Sequence, residues 1–238
     1  MIVSGRNNVK EILNNYNESY GIKRAILQKN FNENDILSLL KKYNIPFSFD
    51  EKNNLDRLAK NNHQGVLLEI GEFCYTELDS IIENKDKCTI VILDHLEDPH
   101  NLGALIRSAE IAGCHGVIIP KRRATGVTEV VAKVSVGATE YVPIARVNNL
   151  NETIQELKDK GVWIVGTDGS ADTLYYKQDM TGPIAIIVGS EGRGMNKLTM
   201  KNCDFLVKIP MMGKITSLNA SVSGGIVLFE ALKQRLEK

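Results

Sequence analysis

The chain has 238 residues, 43% of them apolar, and its 29 Lys and Arg are balanced by 29 Asp and Glu. Such a composition belongs to globular proteins with a packed core, and zero net charge argues against a protein that coats nucleic acid nonspecifically. No apolar run approaches the roughly 18 residues that span a bilayer, and the N-terminal MIVSGRNNVKEIL lacks the continuous apolar stretch of a secretory signal; the expectation is a cytoplasmic protein with no membrane partner.

Residues 1–71 read as a small α/β unit rich in Asn and Lys. Val9, Ile12 and Leu13 recur at helical spacing, as do Ile36, Leu39 and Leu40. RAILQ (24–28) and GVLLEI (65–70) between them read as strands. GEFCYTELDSIIENKDKC places a boundary at 72–87, with Thr76 and Asp79 spaced like a helix-capping start. From 88 to 238, short β-branched runs alternate with helical segments. The strand candidates are 89–96, 116–120, 140–147, 162–168, 184–189 and 205–210. The helical segments are 101–113, about 126–137, 149–160, about 194–202 and 218–236. Nearly continuous apolar strands are the pattern of a parallel sheet buried on both faces, and the alternation predicts an α/β domain with helices on both sides.

Cys74, Cys88, Cys114 and Cys203 form no CxxC pair, so all four read as reduced, buried thiols. His63, His95, His100 and His115 form no HExxH, and no metal is expected. PKRRATG (120–126) is either a solvated loop or a local patch for one folded RNA site.

Ligands of open α/β sheets bind beyond the carboxyl ends of the strands, and three loops there are unusual. In DHLEDPHNLGALIRSAEIAG (94–113), Asp98 precedes Pro99, and Asn101 is placed to cap the next helix. Gly103 and Arg107 share a helix face; the glycine serves either a packed neighbour or the backbone of a ligand. GSEGRGM (189–195) follows an apolar strand, yet its glycines are ordered GxxGxG, unlike a dinucleotide fingerprint, and it lacks the GK[ST] of a P-loop. Glu191 within it suits a cationic or hydroxyl-bearing ligand better than a phosphate. IPMMGKITSLNASVSGG (209–225) mixes Met211 and Met212 with Thr216, Ser217, Asn219 and Ser221. It either holds an amphiphilic small molecule or simply caps the following helix, whose Val222, Ile226, Phe229 and Leu232 form one stripe.

DP ahead of NLGALIR, IVGSEGRGM and IPMMGKITSLNASVSGGIVLFEA, in this order, resemble the three motifs of the SpoU branch of the SPOUT RNA 2′-O-methyltransferases over 88–238. SGRNNVKEIL and HQGV resemble the small N-terminal domain of the 23S rRNA guanosine 2′-O-methyltransferase subgroup. The resemblance implies a parallel-sheet α/β domain carrying a deep trefoil knot, and a ribosomal protein L30e-like N-terminal domain that binds substrate RNA. It implies S-adenosylmethionine as cofactor, contacted by Gly189, Ile209 and Leu218, with Thr167, Gly166, Met211, Ser217 and Asn219 as neighbours. It implies Arg107 as the catalytic arginine, with Asn101, Glu191 and Asn219 holding the ribose or Arg107. Because arginine is almost never neutral, the expected role of Arg107 is to stabilise the forming alkoxide rather than to take its proton. Candidate RNA contacts are Arg6, Lys23, Arg24, Lys121, Arg122 and Arg123. The acceptor is a ribose 2′-hydroxyl, which excludes DNA, and a homodimer through the knotted domain is expected. A tRNA 2′-O-methyltransferase, an rRNA resistance methyltransferase and a non-catalytic RNA-binding assembly protein are the alternatives.

Overall fold

The structure is a computed structural model that describes residues 2–16, 21–59, 62–82, 88–190, 192 and 194–238. They fall into two compact units, Met1–Cys74 with Val127–Tyr141, and Tyr75–Gly126 with Val142–Lys238. The sequence reading cut the chain once, at 72–87, and kept 88–238 whole; the structure instead groups 127–141 with the N-terminal unit.

The N-terminal unit contains β1 (Ile2–Ser4), α1 (Arg6–Asn14), β2 (Ile22–Gln28), α2 (Asn34–Lys42), β3 (Phe47–Asp50), α3 (Lys52–Leu58) and β4 (Val66–Ile70). Its sheet order is β1-β4-β2-β3. β4 is antiparallel to both neighbours, and β2 and β3 are parallel. Val9, Ile12 and Leu13 of α1 and Ile36 and Leu40 of α2 meet Leu27 and Leu68 of the sheet in one core, as the helical spacing predicts. β1, β3 and α3 were not expected; segments of three, four and seven residues carry too little pattern to read.

The second stretch of chain contains α4 (Leu78–Ile82), β5 (Thr89–Asp94), α5 (Pro99–Ile111), β6 (Gly116–Pro120), α6 (Glu129–Val134), β7 (Ile144–Val147), α7 (Leu150–Asp159), β8 (Trp163–Thr167), β9 (Thr173–Leu174), β10 (Ile184–Gly189), α8 (Lys197–Asn202), β11 (Phe205–Lys208) and α9 (Ala220–Leu236). Of these, α6 belongs to the N-terminal unit. Seven strands form one sheet in the order β7-β6-β5-β10-β8-β11-β9, with every pairing parallel. β5 and β6 are buried at every residue, and β10 at all but its last. These are strands covered on both faces, as their unbroken apolar runs predict. The sheet core joins Ile90, Ile92, Ile118, Ile164 and Ile187. Among the described residues no helix is long and apolar enough to cross a membrane.

Three local expectations are corrected. The strand expected from residue 140 starts at Ile144, because Ala138–Glu140 form a 3-10 turn and Pro143 has no N–H for a ladder. Cys74 is exposed, whereas Cys88 and Cys114 are buried and Cys203 half-buried. On α9 the buried residues are Ala220, Gly224, Val227, Leu228 and Ala231, while Val222 and Phe229 of the expected stripe are exposed. Close packing explains that face: a Cβ on Gly224 would lie 2.4 Å from Leu105 Cδ2 and 3.0 Å from Val188 Cγ2, so α9 needs small residues where it meets α5 and β10.

Candidate active site

The sheet's topology opens a crevice where β5, β10 and β8 end. From β5 the chain builds outward through β6 and β7, then returns to the opposite side with β8; β10 enters between β5 and β8. Strand carboxyl ends at such a reversal are where ligands of open α/β sheets sit. The register sets Gly189 of β10 beside Asp94 of β5, so the loops after these strands share one rim.

Gly189 is required by its own loop. A Cβ there would lie 2.4 Å from the carbonyl carbon of Gly194 and from the Met195 nitrogen. The loop turns back at once: Ser190 and Gly194 exchange backbone hydrogen bonds of 3.1 and 2.9 Å. Gly192 (φ +74°) and Gly194 (φ +67°) take left-handed conformations that cost a Cβ-bearing residue energy. The GxxGxG order therefore encodes a tight return, not a phosphate cradle. Glu191 lies outside the described residues.

On one side of that return is a cavity of about 280 Å³. Thr167, Gly189, Ile209, Met211, Ser217 and Leu218, six of the eight expected cofactor neighbours, line it together with Asp168, Thr216 and Ser223. Gly166 is not among the lining residues: a Cβ on it would meet Cys203 Sγ and Met195 Cε at 2.7 Å, so it serves packing of the sheet. Asp168 was missed by the sequence reading. Its Oδ1 accepts from the backbone and hydroxyl of Ser170, at 2.8 and 2.5 Å; the signal was an acidic residue directly after strand VWIVGT. Thr167 Oγ1 donates to the Ile187 carbonyl at 3.0 Å, tying β8 to β10 at the cavity mouth.

On the other side lies a second cavity, of about 400 Å³, lined by residues that include Asp94, His95, Glu97, Asp98, Asn101, Arg123 and Asn196. Ser190 and Gly194 line both cavities, so the Gly189 loop is the wall between them. Asn101 does not cap α5, contrary to the sequence reading. Asp98 does, accepting from the His100 N–H at 2.9 Å, because Pro99 occupies the first helical position, where its missing N–H costs nothing. Asn101 is buried within the first turn, and its Oδ1 accepts from Asn219 Nδ2 at 2.8 Å. Asn219 caps α9 through Oδ1, taking the N–H groups of Ser221 and Val222. Two residues 118 positions apart thus join the start of α5 to the start of α9.

Arg107 is exposed on α5 and lines neither cavity. Lys121, Arg122 and Arg123 are exposed, and only Arg123 reaches the second cavity. In the N-terminal unit Lys23 is exposed, whereas Arg6 is paired with Glu33 at 2.6 Å and Arg24 with Glu69 at 2.7 Å. Among the described residues no three His, Cys, Asp or Glu side chains converge as a metal site. Cys114 and Cys203 are pushed up to about 12 by burial, which keeps both thiols protonated and inert.

Comparison with known proteins identifies the class as RNA-modifying methyltransferases. The sequence model of the SpoU rRNA Methylase family matches residues 88–229, and that for RNA 2′-O ribose methyltransferase substrate binding matches residues 2–76. The chain belongs to the SpoU rRNA methylase family. It is 42% identical, over 98% of its length and 95% of the other, to YacO of Bacillus subtilis (strain 168), a protein assigned to the TrmH family of tRNA/rRNA methyltransferases. A Staphylococcus aureus (strain COL) protein assigned to the same family is 41% identical over 98% of this chain and 96% of its own. Among solved structures, an AdoMet-bound rRNA methyltransferase from Sinorhizobium meliloti is similar with a TM-score of 0.84 and 26% identity, covering 98% of this chain and 86% of that one. The SpoU methyltransferase AviRb from Streptomyces viridochromogenes, with AdoMet, shares the fold at a TM-score of 0.88, 24% identity and coverage of 99% and 90%.

Proposed function

We propose that the protein transfers a methyl group from S-adenosylmethionine to a ribose 2′-hydroxyl of structured RNA, with a guanosine of 23S rRNA as the target. The observation that carries this reading is the cavity at the carboxyl ends of β8 and β10, whose lining brings together Thr167, Gly189, Ile209, Met211, Ser217 and Leu218. AdoMet in similar solved structures supports the donor, and the tRNA/rRNA methyltransferase assignment of the relatives supports RNA as the acceptor.

The residues of the smaller cavity fit such a cofactor. Backbone at Gly189, Ile209 and Leu218 offers fixed donors and acceptors, Met211 and Val188 give apolar surface, and Asp168 offers a carboxylate to a ribose hydroxyl or a cationic centre. When bound, S-adenosylmethionine supplies an electrophilic methyl group on a sulfonium. This chain's residues supply position: an acceptor oxygen held in line at about 3–3.5 Å gains much of the rate from orientation alone. Asn101, fixed by Asn219, is set to hold the ribose at the rim. Arg107 lies on α5 outside both cavities, with an exposed side chain that can pair with an RNA phosphate; a role in stabilising the forming alkoxide, with Glu191 completing the set, belongs to the same reading. Lys23, Lys121, Arg122 and Arg123 are the RNA contacts best supported by exposure, while Arg6 and Arg24 must exchange a carboxylate partner for a phosphate. The trefoil knot and the homodimer are part of the same reading. The entry of β10 between β5 and β8 supports the first, and exposed Val222 and Phe229 on α9 support the second.

The test is to incubate the protein with unmodified rRNA and tRNA and labelled S-adenosylmethionine, then map the label. A single 2′-O-methylguanosine in 23S rRNA is the expected result. Label in tRNA would favour the tRNA alternative, and no label in either would leave the RNA-binding assembly reading.

A further inference from the structure

The N-terminal unit carries a cavity of its own, of about 530 Å³, that takes no part in the donor site. Two stretches that stood out in the sequence, SGRNNVKEIL and HQGV, meet at its wall. The Arg6 N–H donates to Gln64 Oε1 at 2.8 Å, and Arg6 Nε donates to the Gln64 carbonyl at 3.1 Å. His63 is buried and held from both sides: Nδ1 accepts the Gly65 N–H at 2.9 Å, and Nε2 bonds Asp56 Oδ1 at 2.9 Å. Gly65 takes φ +82°, and a Cβ on it would press on Phe31 Cδ2 at 3.2 Å and on Gln28 Cβ at 3.5 Å. The glycine therefore leaves both of those side chains in place along the cavity. This wall is built before any ligand arrives.

The groups around it match the parts of a nucleotide. Gln28, Asn30, Asn62 and Gln64 line it with side-chain amides, which offer N–H donors and an oxygen acceptor to the edge of a base. The amide oxygens of Asn62 and Gln64 are engaged, by the Gln64 N–H and the Arg6 N–H, which leaves their nitrogens to donate. Among the described residues the Gln28 and Asn30 side chains make no hydrogen bond and Lys52 makes no ion pair. Phe31 gives an aromatic wall. Arg6 is paired with Glu33 at 2.6 Å, and the lining carboxylate, Asp56, is taken by His63. One unpaired cation, Lys52, suits the single charge of a phosphodiester better than the phosphate of a free nucleotide. Structured RNA is recognised largely through nucleotides that leave the stack. We propose that this cavity receives one unstacked nucleotide of the substrate RNA, its base edge read by Gln28 and Asn30 and its phosphate held by Lys52. The proposal rests on the methyltransferase reading above and gives the N-terminal unit a base-reading site within it.

The combined variant Gln28→Ala and Asn30→Ala tests the base contacts, and Lys52→Ala tests the phosphate contact. Binding of the full chain to unmodified 23S rRNA and tRNA transcripts is measured across salt, and the bound RNA is probed with reagents that attack base edges. The double variant is expected to bind the preferred transcript about tenfold more weakly, the cost of one or two lost hydrogen bonds, with the salt dependence of the wild type. Lys52→Ala is expected to reduce the slope of log affinity against log salt by about one. One unpaired nucleotide is expected to be shielded by the wild type and attacked again in the double variant. Melting temperature and calorimetric affinity for S-adenosylmethionine are expected to stay unchanged in both. Wild-type RNA affinity in the double variant overturns the proposal, as does weaker binding with the same nucleotide still shielded. Calorimetric binding of a nucleoside 5′-monophosphate that the double variant loses, with RNA affinity intact, would make the occupant a free nucleotide instead. A wild type that neither binds nor methylates either RNA overturns the methyltransferase reading itself.

Discussion

Asn101 and Asn219 illustrate what a residue's type and position disclose and what they do not. Both stood out in the sequence because polar residues open the loops around them. Yet their 2.8 Å bond, across 118 positions, follows only from the packing of α5 against α9. Asp168 was missed because a single acidic residue after a strand carries no spacing to read, and its value came only from the cavity around it. Arg107 was the strongest expectation, and the chain alone leaves it at the surface. Its assigned role predicts that Arg107→Ala lowers the single-turnover rate by 100-fold or more without weakening S-adenosylmethionine binding. Arg107→Lys, which keeps the charge but not the planar fork, is expected to recover little of it; near wild-type turnover in Arg107→Lys would show that bidentate geometry is unnecessary. His115 offers a stability test. Burial, and then the charge of Arg235, lowers its pKa from 6.5. The folded protein thus resists protonation that the unfolded chain accepts, so this contribution is intact above about pH 6.5 and is lost as pH falls through the window below it. The melting temperature is expected to decline between pH 7.5 and 5.5, and less steeply in His115→Asn; equal slopes in calorimetric scans would refute this.

Among elements, legibility followed length and burial. β5, β6 and β10 were readable because strands covered on both faces must be apolar throughout. β1, β3 and β9, of two to four residues, were not. The error on α9 has a physical cause: its packed face, Ala220, Gly224, Val227, Leu228 and Ala231, is set by the close approach of Gly224 to Leu105 and Val188, while Val222 and Phe229 remain outside. The loop after β10 was recognisable as special but not as a tight return, since its glycines answer to a backbone approach visible only in three dimensions. That approach makes a prediction. Gly189→Ala is expected to lose about 2 kcal/mol or more of stability from overpacking and to abolish S-adenosylmethionine binding, because the wall between the cavities must move. Denaturant titration and calorimetry on the variant would check both, and unchanged values would contradict the assigned role of the loop.

At the scale of the molecule, the change in composition after the first 71 residues led the sequence reading to a single cut at 72–87. The membership of 127–141 in the N-terminal unit was not, because it depends on contacts such as α6 with β1, which join residues far apart in the chain. The exposed face of α9 belongs to this scale too. Val222 and Phe229 are 47% and 44% exposed, and large apolar side chains left together on a helix are commonly covered by a partner. The wild type is expected to sediment as a dimer of the 26.4 kDa chain, and Phe229→Asp as a monomer; a monomeric wild type would remove the dimer from the account.

The most direct measurement of the central claim is calorimetric titration of the wild type and of Asp168→Ala with S-adenosylmethionine. The account predicts one site per chain in the wild type and an affinity reduced about tenfold, equivalent to roughly 1.4 kcal/mol, in the variant. No binding by the wild type, or equal binding by both, would contradict the assignment of the cavity beside Gly189 as the place where the methyl donor is held.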